Sequence, residues 1–303
     1  MIDIGTNSAR LLIADVAGGR VAEVERRSTV TRLGRGVDLT GQLSAEAIEA
    51  ACEAIADYVA IYREAGVDTV EAIATSAVRD AADGSAFVAE LRERFALSAR
   101  VLDGEEEARL TYLGATSERP PAEPTLVVDI GGGSTELIVG AGDEISFHAS
   151  MQAGVVRHTE RHLSSDPPTT AELEALAADI RGSIVAAIAG HEAKPEARTG
   201  IAVAGTPTSL AAIEMELDPY DPERVHGHRL SLPSIQRMLS RLASAPLAER
   251  IELVGLHPDR APTIVAGVVI LIETMRAFEL DRVEVSEHDI LYGTAIAAAS
   301  DCG

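Results

Sequence analysis

The chain has 303 residues, of which 46% are apolar and 24% charged, a composition typical of a globular protein with room for two domains. The formal net charge of -22 argues against a nucleic-acid-binding protein that relies on attraction to phosphate. Lys194 is the only lysine, so there is no sensible candidate for a Walker-type phosphate loop, a protein-kinase lysine or a Schiff-base lysine.

The N-terminal residues, the apolar runs and the cysteines exclude further classes of protein. The N-terminus lacks the basic and apolar regions of a signal peptide, and the longest apolar run, 264–272, is too short to cross a bilayer. Cys52 and Cys302 are too few for a disulfide framework or a cysteine-based metal site. We therefore expect a cytoplasmic protein with no membrane partner.

The first part of the chain begins as a β-meander with a small-residue loop after Asp3, and Gly18-Gly19 mark its next turn. A helix is predicted from a cap at Ser44 to Gly66, because apolar residues recur at helical spacing between them. The patterns that follow are strands at 70–75 and 99–102 and helices at 85–95 and 105–116.

Residues 118–124 contain three prolines and form the best linker in the chain. Beyond it the patterns predict strands at 125–129, 134–140, 144–151, 199–204 and 282–285, helices at 155–163 and 170–190, and helices in most of the rest. This order indicates an α/β fold with domains at 1–118 and 119–303 and a cleft between them. A C-terminal helix at 289–303 is expected to pack back on the first domain.

An internal repeat relates the two halves. Residues 3–13 align with residues 129–139, and five of the eleven positions are identical. In both copies an aspartate at a strand end precedes glycine and small polar residues, which offer N–H groups to phosphate oxygens, while the aspartate can hold a metal ion. One such loop is more often a flexible turn, but two matched copies favour a pair of phosphate-binding loops.

Charge and histidine placement add two weaker signals. Residues 1–35 carry six arginines and four acids, which suits capture of a small polyanion or equally suits arginines exposed singly on strand faces. His226 and His228, on one side of a predicted strand, resemble a zinc pair, but we reject a zinc site there because no third ligand lies nearby in sequence.

Several motifs follow one another in the order seen in a known family, from residue 3 to about 295. They are Asp3-Ile-Gly-Thr-Asn-Ser8, Arg32-Leu-Gly34, Thr75-Ser-Ala-Val-Arg79, Gly104-Glu-Glu-Glu-Ala-Arg-Leu110, Asp129-Ile-Gly-Gly-Gly-Ser-Thr-Glu136 and Gly154-Val-Val-Arg157. Together they resemble the exopolyphosphatase and guanosine pentaphosphate phosphohydrolase family. The resemblance implies two actin-like/ribonuclease-H-like domains of the acetate-and-sugar-kinase/Hsp70/actin superfamily, with an interdomain cleft.

The activity implied by the resemblance is metal-dependent release of terminal orthophosphate from inorganic polyphosphate. Guanosine pentaphosphate is the alternative substrate, and magnesium or another divalent cation is the expected cofactor. A phosphotransferase and a non-catalytic nucleotide-binding scaffold on the same fold are less favoured, because the motif around Glu107 belongs to the hydrolases. Homodimer formation is left open.

The resemblance also assigns roles to residues. Glu107 is the expected general base, Asp129 is also expected to be catalytic, and Asp3, Asp129 and Glu136 are the expected metal ligands. Glu105 is interpreted as an acid that favours a helix N-terminus, and the role of Glu106 is left open, because its carboxylate could tune Glu107 or assist the metal. The expected phosphate-binding residues are Gly5, Thr6, Asn7, Ser8, Arg10, Arg79, Gly131, Gly132, Gly133, Ser134, Gly205 and Thr206.

The chain departs from the family pattern in three places. Asp103 replaces the usual serine, residues 286–293 lack the usual arginine, and the long C-terminal helical extension of larger members is missing. From the last difference we expect a preference for short polyphosphate chains. Because only two residues precede Asp3, we also expect the natural protein to begin upstream of Met1.

Overall fold

A computed structural model describes residues 1–118, 122–191 and 195–301. Lys194, Cys302 and part of the predicted linker at 118–124 lie outside these ranges. Within them, every helix is too short or too polar to cross a lipid bilayer.

Strands and helices alternate along the described chain. The strands are β1 Ile2–Ile4, β2 Ser8–Ala17, β3 Arg20–Val30, β4 Ala72–Ala74, β5 Ala99–Val101, β6 Thr125–Ile130, β7 Thr135–Ala141, β8 Glu144–Met151, β9 Thr199–Val203, β10 Arg229–Ser231 and β11 Arg282–Val285. The helices are α1 Val37–Thr40, α2 Ala45–Ala65, α3 Ser76–Asp80, α4 Gly84–Phe95, α5 Gly104–Thr116, α6 Val155–His162, α7 Thr170–Ala189, α8 Gly205–Glu214, α9 Pro222–Val225, α10 Leu232–Ser244, α11 Leu247–Arg250, α12 Ile264–Ala277 and α13 Ile290–Asp301, with a 3₁₀ turn at Pro258–Arg260.

The chain divides into two compact units. The first takes the residues up to Glu118 together with the chain from Ile290 onward, and the second takes the residues between them. Each unit contains one sheet, with its own buried apolar residues packed between sheet and helices.

The sheet of the first unit has the strand order β3-β2-β1-β4-β5. The first three strands form an antiparallel meander, and β4 and β5 extend the sheet in parallel beside β1. Gly18 and Gly19 turn the chain between β2 and β3 with φ angles of +58° and +77°, values that suit glycine in a tight hairpin. The predicted meander and its turn are confirmed.

The longest helix of the first unit follows the sequence prediction closely. The Ser44 side chain accepts the Ala47 amide at 3.2 Å and so begins α2. Gly66 ends the helix in the left-handed region, at φ +66°. Between these caps the apolar residues face the unit's core, which explains why the periodicity found the helix.

The sheet of the second unit has the order β10-β11-β9-β6-β7-β8. It repeats the plan of the first, since β6, β7 and β8 form an antiparallel meander while β9 and β11 run parallel beside β6. Every residue of β6 is buried, as expected for a central strand covered on both faces. The predicted α/β class with two ribonuclease-H-like sheets is therefore confirmed.

Helix α13 packs closely against α5 within the first unit. A Cβ atom at Gly293 would lie 1.8 Å from the Leu110 carbonyl oxygen, so the contact requires glycine there. Leu291 and Tyr292 also share a small buried cluster with Leu12 of β2. Helix α13 thereby supports the helix that carries Glu107.

Three short elements were not predicted from the sequence. They are α1, which follows the first meander, α3, which lies directly after β4 where the sequence indicated only a strand end before Arg79, and β10, an additional edge strand of three residues. Elements this short contain less than two turns of helix or two alternations of a strand, so they show no periodicity.

Candidate active site

The two copies of the internal repeat fold into the same hairpin turn. The Gly5 amide donates to the Ser8 carbonyl at 3.1 Å, and the Gly131 amide donates to the Ser134 carbonyl at 3.0 Å. A Cβ atom would lie 2.9 Å from that oxygen at Gly5 and 3.0 Å from it at Gly131. The close backbone approach therefore requires glycine at the same position of each copy.

In the second loop, the carbonyl groups of residues 131–133 are turned towards α6. The Val155 amide donates to the carbonyl of residue 131 at 3.0 Å, and the Val156 amide donates to that of residue 132 at 2.8 Å. Arg157 Nε donates to the carbonyl of residue 133 at 2.9 Å. Because a carbonyl and the next N–H point in opposite directions across a trans peptide, the amides of residues 132–134 face away from α6. Successive amides on one side of a loop form a nest that suits a phosphate oxygen.

In the first loop, the segment 31–34 takes the place of α6. Two amides of this segment donate to the Asn7 carbonyl at 3.0 and 2.9 Å, and the Gly34 amide donates to the Thr6 carbonyl at 2.8 Å. The amides of Asn7 and Ser8 therefore face away from the segment. Each predicted phosphate loop thus presents amide groups on the side opposite to the backbone that holds it.

The aspartate of each repeat faces a different residue across its hairpin. Asp3 lies opposite Arg10, whose Nε and Nη2 donate to Asp3 Oδ2 at 2.8 and 2.6 Å. Asp129 lies opposite Glu136, and both carboxylates are buried, with exposed fractions of 8% and 1%. The first loop therefore contains an ion pair where the second contains two acids.

Asp129 and Glu136 fit a hard divalent cation. Side chains directly opposite each other in an antiparallel pair have Cβ atoms about 5 Å apart on one face of the sheet, which lets both carboxylates reach one ion. Ser150 Oγ donates to Glu136 Oε1 at 2.9 Å and orients that carboxylate. Two carboxylates suit magnesium, which keeps several waters and takes further oxygens from substrate phosphates.

Glu107 lies in the first turn of α5. Asp103 begins this helix, because its side chain accepts the Glu106 amide at 2.9 Å and so caps the helix N-terminus. The Glu107 carboxylate is 6% exposed, and Arg79 Nη1 donates to its Oε2 at 2.7 Å. The same nitrogen donates to the Leu102 carbonyl at 2.9 Å, which fixes the direction of the guanidinium.

The surroundings of Glu107 favour proton uptake. Burial raises the pKa of this carboxyl, the Arg79 hydrogen bond and charge lower it, and the charges of Asp3 and Asp80 raise it again. Burial is the largest of these effects, so the pKa lies above the usual glutamate range. A carboxylate of raised pKa is a stronger proton acceptor, which is the property a general base needs.

Thr6 links the first loop to the helix that carries Arg79. Its Oγ1 accepts the Ala77 amide at 3.1 Å and so anchors the start of α3. A Cβ atom at Gly34 would lie 2.2 Å from Thr6 Cγ2, so the 31–34 segment also packs tightly on this side chain. The predicted phosphate residues Thr6 and Arg79 therefore lie on adjoining elements of one unit.

Gly205 and Thr206 begin α8 at the end of β9. A Cβ atom at Gly205 would lie 1.0 Å from Arg260 Nη1, so the guanidinium lies directly on this glycine. Thr206 is 4% exposed and faces α12, where a Cβ atom at Gly267 would lie 2.2 Å from Thr206 Oγ1. Gly205 thus contacts a cationic group, whereas the Thr206 hydroxyl packs against a helix.

Two arginines at the loops were not among the predicted site residues. Arg157 is the last residue of the motif Gly154-Val-Val-Arg157, which carries part of the family resemblance, and its place in that motif was the available signal. Arg260 lies far from Gly205 along the chain and in no repeat, so the sequence offered no signal for it.

The arginines of β3 are strand-face residues. Arg26 Nε lies 3.1 Å from Glu23 Oε2, and Arg27 Nη2 lies 2.6 Å from Glu25 Oε1. Arg27 is exposed, whereas Arg26 is half-buried and lies over the Tyr292 ring, 5.3 Å from its centroid. Of the two interpretations of the arginine-rich N-terminal segment, pairing with acids of the same strand favours strand-face residues for both arginines.

The expected placement of His226 and His228 on one strand is wrong. Gly227 adopts φ +79° in a turn between them, so the two imidazoles diverge. The His226 ring stacks on His288 with centroids 4.4 Å apart, and His228 Nε2 lies 2.7 Å from Glu214 Oε2. They do not form a histidine pair.

Known proteins are similar to this chain over nearly its whole length. The model of the Ppx/GppA phosphatase family matches residues 12–295. Exopolyphosphatase 2 of Mycobacterium tuberculosis is 36% identical, with 98% of this chain and 97% of that protein aligned. The crystal structure of an exopolyphosphatase-like protein matches with a TM-score of 0.92 and 37% identity over 98% of this chain and 96% of that one.

The crystal structure of the Aquifex aeolicus member of the Ppx/GppA family matches with a TM-score of 0.83 and 31% identity, covering 99% of this chain and 96% of that one. Family model, relatives and fold therefore agree over nearly the whole length. The chain is a hydrolase of phosphoric anhydride bonds and belongs to the Ppx/GppA phosphatase family.

Proposed function

We propose that this protein is an exopolyphosphatase that releases orthophosphate from the end of inorganic polyphosphate. The observation that carries the chemistry is the buried Glu107 carboxylate, held by Arg79 and raised in pKa. The substrate class rests on the likeness to exopolyphosphatase 2, which extends over 98% of the chain.

The proposed reaction begins with a water molecule that attacks the terminal phosphorus. Glu107 takes a proton from this water, the bond from the terminal phosphorus to the bridging oxygen breaks, and the products are orthophosphate and a chain shorter by one phosphate. Arg79 orients the Glu107 carboxylate through its 2.7 Å hydrogen bond. In the proposal Glu107 acts as the base and Arg79 positions it.

The two loops serve phosphate binding in this proposal. The amides of residues 132–134 in the second unit, and those of Asn7 and Ser8 in the first, donate to phosphate oxygens. Asp129 and Glu136 hold magnesium, which supplies positive charge against the phosphate groups when bound. Asp3 stays a proposed ligand, although in this structure Arg10 binds its Oδ2.

The substrate is tested by phosphate release with magnesium. We expect kcat/KM to be highest with inorganic polyphosphate, compared with guanosine pentaphosphate and ATP under the same conditions. A higher kcat/KM with guanosine pentaphosphate would make the protein a pentaphosphate phosphohydrolase. Transfer of phosphate to an added sugar acceptor, in place of release to water, would make it a phosphotransferase, and nucleotide binding without turnover would make it a scaffold.

The pH dependence of turnover tests the environment of Glu107. We expect kcat/KM to fall on the acid side with an apparent pKa above the usual glutamate range, because a raised pKa lets the base protonate at higher pH. Arg79→Gln removes the group that lowers the pKa, so the acid limb should move to still higher pH.

A matched control for this shift is Arg100→Gln. Arg100 pairs with Glu106, the neighbour of Glu107 in the same turn of α5, so this change removes a nearby positive charge without touching the base. In this control, the acid limb of the kcat/KM profile should stay at the same pH as in the wild type. An unmoved limb in Arg79→Gln would contradict the assigned role of Arg79.

A further inference from the structure

Three potential metal ligands come together on α6 and α7, and none of these three side chains has a role in the proposed chemistry. His158 and His162 lie four residues apart on α6 and therefore on one helix face. Asp179 of α7 reaches both of them, since its Oδ2 lies 3.5 Å from His158 Nε2 and 2.7 Å from His162 Nε2. The three ligand atoms all lie within 4.8 Å of one another.

His158 is the unusual member of this cluster. Its side chain is fully buried, and neither ring nitrogen has a hydrogen-bond partner of ordinary geometry. An imidazole buried in this way loses the hydrogen bonds that water would give it, a cost that a ligand can offset. A neutral imidazole with no hydrogen bond at either nitrogen has a lone pair to offer a metal ion.

We propose that His158, His162 and Asp179 form a binding site for a zinc ion or a similar first-row divalent metal. In a tetrahedral zinc site with bonds of 2.0–2.1 Å, the ligand atoms lie about 3.3 Å apart. The His158–Asp179 distance of 3.5 Å is close to this spacing, and the His162–Asp179 distance of 2.7 Å needs to open by about 0.6 Å. Two imidazoles and one carboxylate favour zinc over magnesium, which prefers oxygen.

The side of the cluster that faces solvent gives a metal ion a path to the site and leaves room for a water molecule as the fourth ligand. The Asp179 side chain is 35% exposed and that of His162 is 16% exposed, so an ion can enter from solvent and keep one water. Arg161 Nη1 lies 3.4 Å from Asp179 Oδ2 and opposes a cation there. Its side chain is 40% exposed, so solvent and salt weaken this repulsion.

An ion at this site would join α6 to α7. The first turn of α6 donates to the carbonyls of residues 131–133, so the position of α6 also sets the position of the second loop. Metal binding is therefore expected to stabilise the second unit. This inference is independent of the proposed substrate.

The test is calorimetric titration of zinc into tag-free, metal-free protein, with magnesium in excess to occupy oxygen-rich sites. We expect one zinc ion per chain in the wild type and a rise in the melting temperature on binding. His162→Gln and Asp179→Asn should each weaken binding at least tenfold and remove the temperature rise. His148→Gln, on β8 and outside the cluster, should bind zinc like the wild type.

The competing explanation is an ordinary His162–Asp179 ion pair beside a core histidine. It would be supported by no zinc binding, or by equal affinity in the wild type, His162→Gln and Asp179→Asn, and either result overturns the proposal. Cobalt supplies a second readout, since coordination by imidazole in a tetrahedral site gives a visible absorption band that both variants should lose. Circular dichroism establishes that each variant is folded before titration.

Discussion

Glu107→Gln should lower kcat by roughly 10²–10⁴-fold while leaving substrate binding largely intact. The substitution keeps the size of the side chain and an oxygen that accepts from Arg79 Nη1, which now lies 2.7 Å from the carboxylate. It removes only the capacity to take a proton from water. The measurement is phosphate release at saturating polyphosphate and magnesium, with circular dichroism as the check of folding.

Two neighbours in the same turn of α5 are the matched controls. Glu105 is exposed, and Glu106 pairs with Arg100, so neither carboxylate shares the buried environment of Glu107. Glu105→Gln and Glu106→Gln should therefore retain near-normal kcat. Near-normal turnover in Glu107→Gln itself would remove the base assignment and direct attention to Asp3 and Glu136.

The repeat was the most informative feature of the sequence because it encodes backbone geometry. Gly5 and Gly131 occupy the same tight turn, and in each the Cβ of any other residue would meet a carbonyl oxygen about 3 Å away. A requirement of this kind restricts residue type strongly enough to be visible in one sequence. The two meanders and their Asp-Ile-Gly turns followed from it.

The opposing residues of the repeat were harder to interpret. The alignment placed Arg10 and Glu136 at equivalent positions, but it did not indicate that one forms an ion pair with its aspartate while the other adds a second acid. That difference depends on strand register, which sets the partner across the hairpin. The roles of these residues stay predictions.

Contacts between distant parts of the chain could not be predicted from the sequence. Arg260 lies on Gly205, and His158 meets Asp179 across two helices, yet neither pair has a fixed spacing that a pattern can detect. The apolar pattern of the short helix α6 does not distinguish a buried histidine at position 158 from an exposed one. The burial of His158, which the sequence does not show, is what distinguishes it as a possible ligand.

Asp129→Asn should act differently from Glu107→Gln, because it should raise the magnesium requirement as well as slow turnover. Asp129 and Glu136 are opposed across β6 and β7 and both are buried, so together they present two negative charges to a cation. Asparagine keeps the shape and one oxygen but removes one charge. The magnesium concentration for half-maximal activity should therefore rise by roughly tenfold or more, in the range seen when metal sites lose a supporting group.

The measurement is phosphate release as a function of magnesium at saturating polyphosphate. Glu136→Gln should shift the magnesium curve in the same direction, since it removes the other charge of the pair. Asp143→Asn is the control, because Asp143 is an exposed acid in the turn that follows β7 and changes the net charge equally. If Asp129→Asn slowed turnover with an unchanged magnesium curve, Asp129 would act on the water or the substrate and the metal would lie elsewhere.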